Sequence, residues 1–179
     1  AMKGCPIDVA CSMLRDVASA LALLHARCLL HRDVGPRNVR CSGDGAAKLI
    51  DFGVLATTGI VGEIAGTPPC MPPESVRRLP LDHKADLFGL GALAYWLLTG
   101  RHAYPAKLIS DLEGVWAARP QRPSELRSDV PPALDDLVLS MLSLDPLGRP
   151  SRAAEVIDRL VAIGGLDPTT ESEAEAGRG

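Results

Sequence analysis

The 179 residues carry 19 Lys and Arg against 22 Asp and Glu, a net charge of −3, with 46% hydrophobic residues. That is enough chain for one domain with a real core, and the slightly acidic balance with scattered arginines gives no electrostatic footing for nucleic acid. The longest apolar run, Leu87 to Leu98, is too short to span a bilayer. The five cysteines (Cys5, Cys11, Cys28, Cys41, Cys70) show no C-x-x-C and no regular spacing, which speaks against a disulfide framework or a zinc site and for the reduced thiols of a cytoplasmic protein.

In chain order, Ile7, Ala10, Leu14, Val17, Leu21, Leu24 and Cys28 recur at steps of three and four, one apolar face of a helix. Val39-Arg40-Cys41 and Ala47-Lys48-Leu49-Ile50 flank Ser42-Gly43-Asp44-Gly45, a short hairpin around a turn of φ-permissive residues. Residues 54–73 have neither period and read as loop. Residues 84–99 read as a buried helix. Residues 101–131 are rich in Pro and Arg, with one short helix expected near 107–117. Leu134, Leu137, Val138, Met141 and Leu142 mark a helix entered through Pro131-Pro132. Ala153, Val156, Ile157, Leu160 and Val161 mark the last, with Ser151 as its expected N-cap after Pro150. From Gly164 to Gly179 the composition turns acidic and nearly free of apolar residues, so 164–179 is expected to be a disordered tail or linker.

The chemistry-bearing residues cluster around the hairpin. Ahead of it stands His31-Arg32-Asp33-Val34-Gly35-Pro36-Arg37-Asn38, and behind it Asp51-Phe52-Gly53. Asn38 precedes the first strand and Asp51 follows the second, so the hairpin places the two side by side. Further on come Gly66-Thr67-Pro68-Pro69-Cys70-Met71-Pro72-Pro73-Glu74, then Asp86 at the head of the long apolar helix, then Arg149 in Asp145-Pro146-Leu147-Gly148-Arg149-Pro150.

H-R-D-x-x-x-x-N followed at short range by D-F-G is the signature of protein kinases. With the segment ending Pro72-Pro73-Glu74 and with Arg149, the chain over roughly residues 5–163 resembles the C-terminal lobe of a bacterial Ser/Thr protein kinase. The implied fold is α+β and mostly helical, one kinase C-lobe over residues 1–163 with a hairpin carrying the metal ligands. The resemblance implies ATP and Mg2+ as cofactors and protein Ser or Thr hydroxyls as substrates. Asp33 would take the proton of the acceptor hydroxyl, and Asn38 and Asp51 would hold magnesium. His31 would pack beneath Phe52 of the Asp51-Phe52-Gly53 motif. Thr67 would bond Asp33, as in Ser/Thr kinases. Asp86 would bond backbone N–H groups of the catalytic loop, and Glu74 and Arg149 would form a buried pair. His25, His83 and His102 show no ligand spacing and are expected to be surface or core residues.

Three departures from the family pattern matter. Gly35 stands where Ser/Thr kinases keep a lysine, and Arg37, a position at which some tyrosine kinases carry arginine, is expected to compensate. Glu63 stands at the usual activation-loop phosphosite, so its carboxylate is expected to pair with Arg32, leaving Thr57 or Thr58 as secondary phosphosites. Upstream of His31 there is no G-x-G-x-x-G and no lysine in a V-A-I-K-like context. The expectation is therefore a C-lobe without its N-lobe, inactive alone, exposing an apolar face, and completed by an N-lobe in cis or in trans. Two other readings remain open: a non-catalytic kinase-like interaction module, favoured by Gly35, and a small-molecule phosphotransferase of the aminoglycoside kinase type, disfavoured by the Gly66–Glu74 segment and Arg149. Neither membrane nor nucleic acid is an expected partner.

Overall fold

In the computed structural model, which describes residues 4–43 and 45–166, helices dominate and two small antiparallel ladders carry the loops between them. Helix α1 (Ile7–His25) buries Ala10, Cys11, Leu14, Val17, Ala18 and Leu21, the stripe its period requires. It ends before Cys28, which is exposed in a turn with φ 56°; Cys28 extends the sequence period but not the helix.

Strand β1 (Leu29–Leu30) leads into the loop of residues 31–38. The hairpin follows as β2 (Val39–Cys41) and β3 (Ala47–Leu49), with Val39 opposite Leu49. Asp16 of α1 accepts the Ala47 N–H at 3.0 Å, which ties the second strand to the first helix. Residues 54–73 are not all loop. Ala56–Thr57 forms β4, paired with β1, and Gly59 bridges to Leu81. These ladders are too short to leave an alternating pattern in the sequence.

Beyond α2 (Pro73–Val76), helix α3 (Lys84–Thr99) is buried on every side from Ala85 to Tyr95, as its apolar run of residues requires. Gly89 permits the decisive contact: a Cβ there would lie 2.8 Å from the Val34 carbonyl oxygen, so only glycine lets α3 press against the loop 31–38. The region 101–131 holds α4 (Leu112–Val115), preceded by a 3₁₀ turn, and a second piece, α5 (Pro123–Leu126), which has too few residues to show a period. Helices α6 (Pro132–Met141) and α7 (Ala153–Gly164) close the core, with α7 packed along α1 and α6 against α3. Ser151 does not cap α7. The N-cap is Arg152, and the Ser151 N–H and Oγ–H instead both donate to Glu155 Oε2 at 2.8 Å. Most of the acidic tail expected at 164–179 lies outside the described residues. No described helix is long and apolar enough to cross a membrane.

Candidate active site

One carboxylate at the start of α3 organises the site. Asp86 is 1% exposed. Its Oδ2 accepts the His31 N–H at 2.9 Å, and its Oδ1 accepts the Arg32 N–H at 2.8 Å. The His25 ring, at the last residue of α1, donates Nε2–H to the same Oδ2 at 2.9 Å. His25 was invisible as a site residue in the sequence because nothing local links it to Asp86, 61 residues away. The clamp holds Arg32 at φ 70°, a left-handed conformation unusual for a residue with a side chain.

His31 is fully buried, and both ring nitrogens are used. Nδ1 accepts the Asp33 N–H at 3.3 Å, which leaves the proton on Nε2 to reach the Ile50 carbonyl at 3.2 Å. Phe52 lies edge-on to the ring, centroids 5.3 Å apart. With no free nitrogen, His31 is a strut between loop and hairpin rather than a base.

Asp33 is held from three directions. The Thr67 N–H and Oγ–H both donate to Oδ1 at 2.8 Å, and Asn38 Nδ2 donates to Oδ2 and to the Asp33 carbonyl, each at 2.8 Å. A carboxylate offers about four acceptor sites. Among the described residues three are filled, which leaves one lone pair on Oδ2 for an incoming donor. The same bonds commit the Asn38 amide nitrogen and leave its oxygen available. Asn38 and Asp51 lie at one end of the hairpin, where the Ile50 N–H donates to the Asn38 carbonyl at 2.8 Å. Asp51 is exposed, takes φ 63°, and accepts the Gly53 N–H at 3.2 Å on Oδ1. Oxygen donors of this kind, one carboxylate and one amide, suit magnesium only if other oxygens complete its octahedron. Among the described residues no group of three or more His, Cys, Asp or Glu is placed to hold a metal.

Arg32 does not pair with the Glu63 carboxylate. Its guanidinium donates to the Glu63 backbone carbonyl and, at 3.3 Å, to the Val54 carbonyl, and no Arg32–Glu63 ion pair exists among the described residues. The left-handed Arg32 backbone directs the side chain to the main chain of the segment, so the identity of residue 63 is not what it reads. Thr57 and Thr58 are both exposed.

Gly35 packs on Cys70: a Cβ at 35 would fall 2.9 Å from Cys70 Sγ. Burial, with the Asp33 charge adding to it, pushes the Cys70 thiol up to about 12. Cys70 was missed in the sequence because its partner is 35 positions away and a lone cysteine carries no spacing signal. Arg37 is exposed, and among the described residues its guanidinium has no acidic partner. Farther away, the Glu74 carboxylate is bonded by Arg149 Nη1 and, at 3.0 Å, by Nη2. The same guanidinium donates to the Ser143 and Lys84 carbonyls and lies 5.0 Å from the Phe88 ring centroid. This pair joins the end of the Gly66–Glu74 segment to the base of α3.

Residues 3–160 match the family model of the protein kinase domain. Among known relatives, the serine/threonine-protein kinase PknL of Mycobacterium tuberculosis is 34% identical over 164 residues, 88% of this chain and 41% of the relative. The serine/threonine-protein kinase PknB of Mycolicibacterium smegmatis is 32% identical over 166 residues, 86% of this chain and 26% of the relative. A probable serine/threonine-protein kinase of Clostridium acetobutylicum is 30% identical over 158 residues, 81% of this chain and 23% of the relative. The chain thus spans between about a quarter and two fifths of the length of these relatives.

Proposed function

The chain belongs to the protein kinase family, and on that premise we propose that it is the acceptor-side half of a serine/threonine kinase, transferring the γ-phosphoryl group of ATP to protein hydroxyls. The observation that carries the reading is the Asp33 carboxylate, fixed by Asn38 and Thr67 with one lone pair unspent. In the proposed step that lone pair accepts the proton of a Ser or Thr hydroxyl as its oxygen bonds to the γ-phosphorus. The bond from that phosphorus to the bridging oxygen breaks, and ADP leaves with the electron pair. General-base assistance of this kind is typically worth about 10²- to 10⁴-fold. Asp51 and the Asn38 oxygen would hold magnesium, which when bound neutralises charge on the phosphates.

Arg37, on the same loop and without an acidic partner among the described residues, is proposed to supply the positive charge that Gly35 cannot. Lysine restored at 35 would first have to displace Cys70. That packing is also the one observation favouring a second reading, a non-catalytic kinase-like module. Positioning and electrostatic stabilisation make up nearly all of phosphoryl-transfer catalysis, and the phosphate-loop and lysine motifs do not occur ahead of His31. We therefore assign them to an N-lobe joined in cis or supplied in trans, acting in the cytoplasm. The exposed Phe52 and Leu55 beside Asp51 offer that lobe an apolar contact.

Calorimetry with Mg-ATP tests the assignment. The expected result is no binding to the 179-residue chain alone, and binding in the micromolar range once a kinase N-lobe is joined ahead of it, abolished by Asp51→Ala. If the joined protein also bound no nucleotide, the non-catalytic module would be the better reading.

A further inference from the structure

Beside Asp33 the surface opens into a cavity of about 550 Å³. Asn38 and Thr67, the two residues that hold the Asp33 carboxylate, form part of its lining, together with Trp96 and His102 from the end of α3 and the loop after it. Arg37 and Lys107 also line it, and both are exposed. Among the described residues no carboxylate side chain lines it. Among the described residues neither cation has an acidic side chain as partner; Asp111, the acid nearest Lys107 in the hydrogen bonding, accepts the backbone N–H groups of Lys107 and Leu108 instead. His102 adds a third polar group. Its Nδ1 is buried and has no hydrogen-bond partner among the described residues, and burial together with the Arg37 charge pushes the ring below the usual histidine range. A space lined by two cations without acidic partners among the described residues, touching the groups that hold the base, suits an anion on the substrate.

We infer that this cavity selects substrates with an acidic residue close to the acceptor Ser or Thr, with Arg37 and Lys107 as the specificity-determining cations. The inference rests on the kinase reading for the identity of the acceptor, but the charge preference is a property of the cavity itself. Exposed ion pairs are individually weak, so the discrimination is a matter of about tenfold rather than of absolute exclusion. The chain's own sequence contains a segment of this type, Thr169-Thr170-Glu171-Ser172-Glu173, in which three hydroxyl residues stand beside two carboxylates.

That segment supplies the probe. Four fluorescent peptides spanning residues 167–176 would carry Glu, Gln, Lys or Leu at positions 171, 173 and 175, and their binding to the 179-residue chain would be followed by anisotropy. Any competition from residues 167–179 of the chain itself would fall on all four peptides alike, so the ratios stand. The Glu peptide should bind about tenfold more tightly than the Lys peptide, with Gln between them, and Lys107→Glu should abolish or invert that order. Lys107 is exposed and outside the groups assigned to catalysis, so the variant should fold, which circular dichroism checks. Equal affinities, no binding by any peptide, tightest binding by the Leu peptide, or a Glu preference untouched by Lys107→Glu would each overturn the inference. Phosphoryl transfer to the same peptides by the chain joined to an N-lobe separates the two readings. Transfer without charge preference defeats the cavity inference alone. Charge-selective binding without transfer to any peptide upholds it and defeats the kinase reading alone.

Discussion

Residues 31–38 and residues 51–63 flank the same hairpin, yet they are held in different ways. The first stretch is fixed from beneath: Asp86 takes two of its N–H groups, Val34 packs against Gly89, and His31 and Asn38 are buried. The second is mostly exposed, with Phe52 at 48% and Ile60 at 79% exposure, and is tied down by a two-residue ladder, one bridge and Arg32 reaching its carbonyls. On the proposed reading, the core of this chain organises by itself the groups that meet the acceptor hydroxyl. The groups that meet the nucleotide are presented at the surface, where a second lobe would complete their surroundings.

The contrast breaks if the first stretch proves as tolerant as the second. Asp86→Ala would strand two backbone N–H groups and the His25 ring donor in a buried site, and should cost about 3–5 kcal/mol, read as a lower urea midpoint with unchanged slope. Arg149→Ala should cost a similar or slightly smaller amount, about 3 kcal/mol, by leaving the buried Glu74 carboxylate alone. Adding Glu74→Ala should restore part of it, and simple additivity of the two losses would show that the pair is not coupled.

Thiol reactivity sharpens the comparison at a smaller scale. Burial pushes the Cys11 thiol up to about 11 and the Cys70 thiol up to about 12, from an ordinary value of 9.0. At pH 8 an alkylating reagent should label the exposed Cys28 and Cys41 and spare these two. The raised values also fix a sign. The folded protein keeps protons that the unfolded chain releases above pH 9, so this contribution to stability is whole below about pH 9 and falls away as pH rises towards 11 and 12. Cys70→Ala should flatten the alkaline limb, and an unchanged limb would mean that the thiol is not buried as described. Smallest of all is Glu63→Ala. Because Arg32 bonds the Glu63 backbone and not its carboxylate, stability and proteolytic sensitivity of the 54–66 segment should change by less than about 0.5 kcal/mol equivalent.

The same contrast explains what could be read in the sequence. Helices α1, α3, α6 and α7 announce themselves through ten or more residues of apolar pattern, and the hairpin through its turn. The short pieces β1, β4 and α5 have no room for a period, and the three-and-four spacing that carried Cys28 into α1 continues past the point where the backbone turns. At the site, motif spacing brings Asp33, Asn38 and Asp51 to one hairpin, and the family resemblance led to the contacts of Thr67 with Asp33, of Asp86 with the loop N–H groups and of Glu74 with Arg149, but side-chain destinations outside the family pattern were out of reach. A carboxylate at 63 and a guanidinium at 32 suggest an ion pair, while the left-handed backbone at Arg32 sends that side chain to carbonyls instead. His25 on Asp86 and Cys70 against Gly35 depend on the packing of α1 and of the Gly66–Glu74 segment, which no local pattern encodes.

The most direct test of the central claim is phosphoryl transfer from Mg-ATP to matched Ser, Thr and Tyr peptides, using the chain joined to a kinase N-lobe, with and without Asp33→Asn. The account predicts transfer to Ser and Thr but not Tyr, reduced about 10²- to 10⁴-fold by Asp33→Asn at unchanged thermal stability. Transfer that survives Asp33→Asn undiminished, or no transfer although nucleotide binds, would contradict it.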